Sequence, residues 1–336
     1  MYQNLHSHTK TSDGELTHKQ VLEACKQNKI SIVAFTDHDA LPNEKTLKQL
    51  QTLKSHPTKW IIGCEISSGW PKEIGGPTSN FHIVGLFVNP FDKALLEHCK
   101  KAQQSRVERM EKIVKNLRTL GFEISKEDCL RESYGETIGR PHIVSALKKR
   151  IKNLKIIEKL RRQMKKESEN DSKIKENYDK MMTRGETEYP YSLFLKSGAF
   201  LPNIYMDYPY WKEMDESVKL IRNAGGIAIL AHWTFSKYMI DIKMIEKFFK
   251  EKRLDGAEIV FGGDNVFNMN VELRNDMKSM EKLTEKCKVL QSGGIDSHEK
   301  EDFEFFVKDE ELAKKTINLV EKMKELKDLN LEFSSL

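Results

Sequence analysis

Short apolar runs recur toward both ends of the chain, separated by stretches in which apolar residues return every three or four positions. The first pattern is that of buried strands, the second that of amphipathic helices. Strands are expected at residues 2–6, 31–36 (SIVAFT), 60–67 (WIIGCEIS), 81–88 (FHIVGLFV), 225–232 (GGIAILAH), 256–261 (GAEIVF) and 288–296 (KVLQSGGID). The amphipathic stretch 17–29 joins the first two, and each of the last three follows a helical stretch. Strand–helix–strand alternation predicts an α/β fold with a mainly parallel sheet or a β/α barrel. In such folds functional residues gather where strands end.

The middle of the chain reads differently. Residues 93–120 and 141–166 have helical periodicity. In the second, Leu147, Ile151, Leu154, Ile157, Leu160 and Met164 fall three or four apart and predict one apolar stripe on a charged helix. KKESENDSK (165–173) is polar and helix-weakening, and Pro190, Pro202 and Pro209 interrupt an aromatic-rich stretch. No strand is expected between about 92 and 224. The predicted organisation is an α/β core from residues 1–91 and 225–336, carrying a helical insertion at 92–224.

Composition narrows the class. With 336 residues the chain can bury a large core, and 38% hydrophobic against 32% charged residues is the balance of a solvated globular protein. No apolar run approaches the ~20 residues that span a bilayer, and MYQNLHSH has no signal-peptide apolar region. A cytoplasmic protein without membrane contact is expected, with no stable protein partner evident and its oligomeric state open. The five cysteines are odd in number, widely spaced and without a CxxC pair, which argues against a disulfide framework or a thiolate zinc site. Net charge is +5, but residues 148–180 hold 13 Lys/Arg against 6 Asp/Glu, so the basic character is local. That segment reads as a solvated cap-helix face or a guide for a polyanion. It lacks the interleaved aromatics of a single-strand stacking platform. Tyr189, Tyr191, Phe194, Phe200, Tyr205, Tyr208, Tyr210 and Trp211 come later and suit core packing or base stacking.

The chemistry lies at the expected strand ends. His6 and His8 alternate on the end of the first strand, so both rings project to one side. Asp13 follows in a loop. FTDHD puts His38 at the end of the second strand, flanked by Asp37 and Asp39, both candidates for orienting ligand imidazoles or for turn-forming. Glu65 ends WIIGCE, His82 lies in FHIVG, His232 ends GGIAILAH, and GGIDSHE supplies Asp296 and His298. Nine imidazole and carboxylate ligands suit divalent Mn, Fe or Zn. They exceed the needs of one ion and imply two or three, with a bridging carboxylate. His18, His56 and His98 lie in polar helix or loop settings and read as structural.

HSHTKTSDGELT, AFTDHDAL, GCEIS, FHIVGLF, GRPHIV, AGGIAILAH and GGIDSHE resemble, in order over residues 1–300, the motifs of PHP-domain (polymerase and histidinol phosphatase) phosphoesterases. The resemblance implies a distorted (β/α)7 barrel with a trinuclear metal centre. His6, His8, Glu65 and Asp296 would hold the first ion. Glu65 would bridge to a second held by His82 and His232, and Asp13, His38 and His298 would hold the third. The nearest branch resembles the nucleoside monophosphate and nucleotide 3′,5′-bisphosphate phosphatases, some of which trim RNA from its 5′ end. There an insertion covers the active site and supplies basic phosphate ligands, for which this chain offers Arg106, Arg109, Arg140 and His142. Gly139 and Pro141 mark a helix start at the last pair, where backbone N–H groups favour an anion. The family usually has Pro after the Ala-His pair, where this chain has Trp233.

The reaction expected is in-line attack on a phosphate ester by a metal-bridging hydroxide held by Glu65, Asp296, His6 and His8, without a covalent phospho-enzyme. The substrate would be a nucleotide or a short oligonucleotide. A histidinol-phosphate-type phosphatase would use the same ligands with an acidic cap, which the basic segment does not offer. A non-catalytic interaction module would have lost ligands, and all nine are present.

Overall fold

A computed structural model of the chain describes residues 1–75, 81–133, 137–262 and 271–327. They divide into two compact units, one of Met1–Gln103, Gly135–Thr137 and Tyr210–Leu336, the other of Gln104–Tyr134 and Ile138–Pro209. Each has its own apolar core. The division falls within the helix Lys93–Thr119, not at residue 92, and again at Tyr210. The start of that helix buries Leu95 and Cys99 in the sheet unit's core, while Met110, Ile113, Val114 and Leu117 belong to the other core.

The first unit is built on a seven-stranded sheet in sequence order: β1 (Tyr2–Asn4), β2 (Ile30–Phe35), β3 (Lys59–Ser68), β4 (Phe81–Leu86), β5 (Ile227–Leu230), β6 (Gly256–Val260) and β7 (Leu290–Gly293). All seven expected strands form. β1–β3 run parallel, as do β5–β7, but β4 is antiparallel to both of its neighbours. A mainly parallel arrangement therefore holds except at one strand, with a functional consequence. Ser67 pairs with His82, so the start of β4 lies beside the end of β3 and His82 reaches the rim that Glu65 occupies. The sheet's outer strands are joined past their ends by Leu5 N–H to Gly293 O at 2.9 Å and His8 N–H to Ser297 O at 2.8 Å.

The second unit is helical, with no strand among its described residues. The single helix expected at 141–166 is two, Arg140–Lys148 and Ile151–Ser168, broken where Arg150 takes extended angles of φ −120° and ψ 120°. The break resets the phase of the apolar stripe. Ile157, Leu160 and Met164 are buried, but Ile151 is 73% and Leu154 43% exposed. The inward place goes to Asn153, whose amide accepts from Glu123 N–H at 2.8 Å and donates to Glu123 O and Leu147 O. The polar stretch after Ser168 does not end the helical region. Asp171 caps Lys173 and Ile174 and starts a further helix, Ser172–Arg184.

Candidate metal centre

All nine expected ligands belong to the sheet unit, and its rim brings them together. His6 and His8 follow β1 on extended backbone tied to the segment after β7, so alternate side chains share a face. A Cβ on Gly294 would stand 2.3 Å from His6 N, so the last strand can approach this closely only because residue 294 is glycine. Asp13 is carried by a loop folded around Asp37, whose carboxylate accepts from the N–H and hydroxyl groups of both Thr9 and Ser12. Asp37 therefore builds the loop, and Ser12 Oγ, which donates to it, lies 3.4 Å from His8 Nδ1. Asp39 accepts from Ser67 N–H at 3.0 Å, next to the parallel bridge between His38 and Glu65.

Glu65 is the hub. Its Oε1 lies 2.8 Å from His82 Nδ1 and 2.9 Å from His232 Nε2. Its Oε2 lies 2.8 Å from His38 Nδ1, 3.3 Å from His8 Nε2 and 3.4 Å from His6 Nε2. Asp296 Oδ1 approaches His8 Nε2 at 2.8 Å and His6 Nε2 at 3.4 Å. Around Asp13 stand His298 Nε2 at 3.5 Å, His8 Nδ1 at 3.6 Å and His38 Nε2 at 3.8 Å. Three sets are tight enough to surround an ion: His6, His8, Glu65 and Asp296; His8, Asp13, His38 and His298; and His38, Glu65 and His82.

These groups fit metal ions better than they fit one another. Asp13 Oδ1, His38 Nδ1, Glu65 Oε2 and Asp296 Oδ1 are buried, yet none has a hydrogen-bond partner despite the short approaches. A buried polar atom left so costs about 1–3 kcal/mol, and three carboxylate oxygens converging with an imidazole nitrogen are what a cation relieves. The electrostatics agree. Burial favours a protonated Glu65, but His38, His82 and His6 hold its carboxyl well below the usual range. Burial likewise works against ionised Asp13, which His38 and His298 keep well below its ordinary value. Burial and the adjoining His298 favour a neutral His8, yet the carboxylates of Asp296 and Glu65 push it up to about 10. The pocket thus draws positive charge. Its backbone is also strained: His232 (φ 24°), Asp296 (φ 53°) and Asp39 (φ 46°) take left-handed angles that cost of order 1 kcal/mol each and recur at functional sites.

Glu258 was not anticipated. It is buried in β6, accepts from His232 N–H at 2.7 Å, and sits 2.7 Å from His6 Nδ1, leaving His6 Nε2 aimed at Glu65 and Asp296. A carboxylate second to an imidazole fixes its tautomer and raises its basicity. The signal was one acid inside the apolar run GAEIVF, since a buried carboxylate must have a partner. His18, His56 and His98 take other roles. His98 Nδ1 meets the Tyr210 hydroxyl at 3.1 Å, and His18 packs edge-on against Phe35.

The four expected phosphate ligands lie in the helical unit. Arg106 donates to the Tyr208 hydroxyl at 2.9 Å. Arg109 donates to Met206 O at 2.6 Å and lies over the Tyr208 ring at 4.1 Å. Burial lowers its pKa, and so do the nearby Arg140 and Arg106. Arg140, less buried, makes a longer bond of 3.3 Å to Leu195 O. His142 Nδ1 accepts from Gly139 N–H at 2.8 Å, so this helix start is capped by its own imidazole and that N–H is taken.

An α/β sheet with imidazoles and carboxylates gathered on its rim defines a metal-dependent hydrolase. Residues 4–228 match the PHP domain, and the chain belongs to the PHP-domain family as a metal-dependent phosphoesterase. It is 23% identical to the 5′-3′ exoribonuclease Rnm of Escherichia coli, over 76% of this chain and 74% of that one. It is 23% identical to a 3′,5′-nucleoside bisphosphate phosphatase of Chromobacterium violaceum, over 80% and 79%. Among solved structures it resembles an amidohydrolase from Chromobacterium violaceum, with a TM-score of 0.63 and 21% identity over 90% of this chain and 89% of the other. Among the described residues no helix is long and apolar enough to cross a membrane.

Proposed function

We propose that His6, His8, Asp13, His38, Glu65, His82, His232, Asp296 and His298 hold two or three divalent ions (Mn, Fe or Zn). With them the chain hydrolyses a phosphomonoester of a nucleotide or trims short RNA from its 5′ end. The observation that carries this reading is Glu65, whose two buried oxygens face five imidazoles. The names of the two relatives, an exoribonuclease and a nucleoside bisphosphate phosphatase, support the substrate class.

Bound divalent ions lower the pKa of water toward ~7 and neutralise charge on phosphoryl oxygens. The chain's own residues prepare that chemistry. Glu65 spans two ligand sets, Glu258 turns the free nitrogen of His6 inward, and Asp37 fixes the loop of Asp13. Within the helical unit, Arg140 is the proposed phosphate contact, while Arg106 and Arg109 are engaged by Tyr208 and Met206 O. Phosphate release from nucleoside monophosphates and 3′,5′-bisphosphates, and nucleotide release from short RNA, each with Mn²⁺ supplied, test the proposal. Turnover of at least one is expected, and turnover of none overturns it.

A further inference from the structure

The loop that follows His232 is tied down on every side but one. Trp233 is buried and its Nε1–H donates to Ile240 O at 2.7 Å. Ser236 N–H and its hydroxyl both donate to Trp233 O, and Met239 and Ile240 N–H both return to Ser236 O at 2.9 Å. Thr234 and Lys237 bond to Asp276, on the helix Val271–Cys287, and Lys237 also reaches Glu272. The loop nevertheless presents Phe235 to solvent at 54% exposure, with Tyr238 at 84% and Met239 beside it in sequence.

Phe235 is not placed at random. Its ring centroid lies 5.3 Å from that of His232, at an interplanar angle of 57°. His232 Nε2 is in turn 2.9 Å from Glu65. A flat apolar ring therefore stands at the edge of the metal centre, fixed in position yet half open to water, where it loses the burial that usually stabilises a phenylalanine. Trp233 is the buried anchor of the turn that presents it.

We infer that Phe235 is a stacking platform for the nucleobase of a nucleotide whose phosphate sits among the imidazoles. The inference rests on the nucleotide reading above and adds the group that would recognise the base. A phenyl ring has no hydrogen-bonding atom, so it accepts any base by its π-face. Little discrimination among the four bases follows.

The test compares kcat/KM for a nucleoside 5′-monophosphate and for ribose 5-phosphate, using the full Mn²⁺-loaded chain. Phe235→Ala and Phe235→Leu should each lower the nucleotide-to-ribose-phosphate ratio by roughly tenfold, mostly through KM, while Phe235→Trp retains it. Phe91→Ala removes an equally exposed ring beyond the Leu86 end of β4, opposite the His82 end, and should leave the ratio at the wild-type value. If the wild-type protein prefers the nucleotide but neither Phe235→Ala nor Phe235→Leu changes the ratio, Phe235 is not the platform and the nucleotide reading survives. If the wild-type protein shows no preference for the nucleotide, no base is recognised and this inference fails, whereas the nucleotide reading fails only if none of its three substrates turns over. Phe235→Leu keeps an apolar side chain in the loop, so a folding defect in the alanine variant would not decide the outcome.

Discussion

The two units treat buried charge in opposite ways. In the sheet unit, carboxylates and imidazoles crowd together and leave four buried polar atoms without a partner. In the helical unit, the buried cations are already engaged: Arg106 by the Tyr208 hydroxyl, Arg109 by Met206 O and the Tyr208 ring. The contrast separates two uses of expensive groups. A satisfied buried charge holds its own unit together, whereas a cluster of unsatisfied acceptors is stable only with something else bound.

The comparison breaks most visibly at Glu65. Glu65→Gln or Asp296→Asn should cost more turnover than the roughly 10–100-fold that follows loss of an outer partner, with the circular dichroism spectrum preserved. Retained phosphate release in either variant would mean that the centre is wrongly assigned. Next comes Glu258→Gln, expected to weaken metal affinity by about 10–100-fold, read as a shift in the Mn²⁺ concentration for half-maximal activity. A normal Mn²⁺ requirement would leave Glu258 a purely structural acid.

In the helical unit the expected effects divide. Arg109→Ala should destabilise by about 2 kcal/mol, seen as a lowered urea midpoint, because its hydrogen bond and ring contact are both lost. Arg140→Ala should leave that midpoint in place and raise KM several-fold, about 1 kcal/mol of lost phosphate contact. The smallest effect belongs to Ile151→Lys, expected within ~0.5 kcal/mol of wild type, against about 2–4 kcal/mol for Ile157→Ala on the same helix. Equal costs at both positions would restore the unbroken stripe.

Much of the sheet unit was legible because its signals are local. Each strand is a short apolar run, and seven of the nine ligands stand just past a strand end or in the loop after one, where sequence order alone places them; Glu65, expected to end its strand, lies within β3, which runs on to Ser68. His82 departs furthest from that pattern. It stands at the start of its strand and reaches the rim only because β4 runs backward, a property of pairing that no short window reveals. Glu258 was missed for a related reason: its partners His6 and His232 are distant in sequence, and nothing adjacent to it announces them. In the helical unit periodicity carried through Arg150 although the backbone does not, since Asn153 took the inward position by bonding to Glu123 and Leu147. The helix start at Ser172 was missed, because the Asp171 cap is a local contact that the polar run around it concealed.

The hydrogen bonds that tie the residues after β1 to the end of β7 have a consequence for synthesis. His6 and His8 precede Asp296 by most of the sheet unit, so the set of His6, His8, Glu65 and Asp296 cannot close before β7 and the segment after it have been made. A contact order this high slows folding and leaves early segments waiting for late ones. A nascent chain released through Leu230 would expose His6, His8 and Glu65 as a loose chelator without the strand that seats them. An ion using this set would be captured only after β7 has been made, and would tie the first strand to the last.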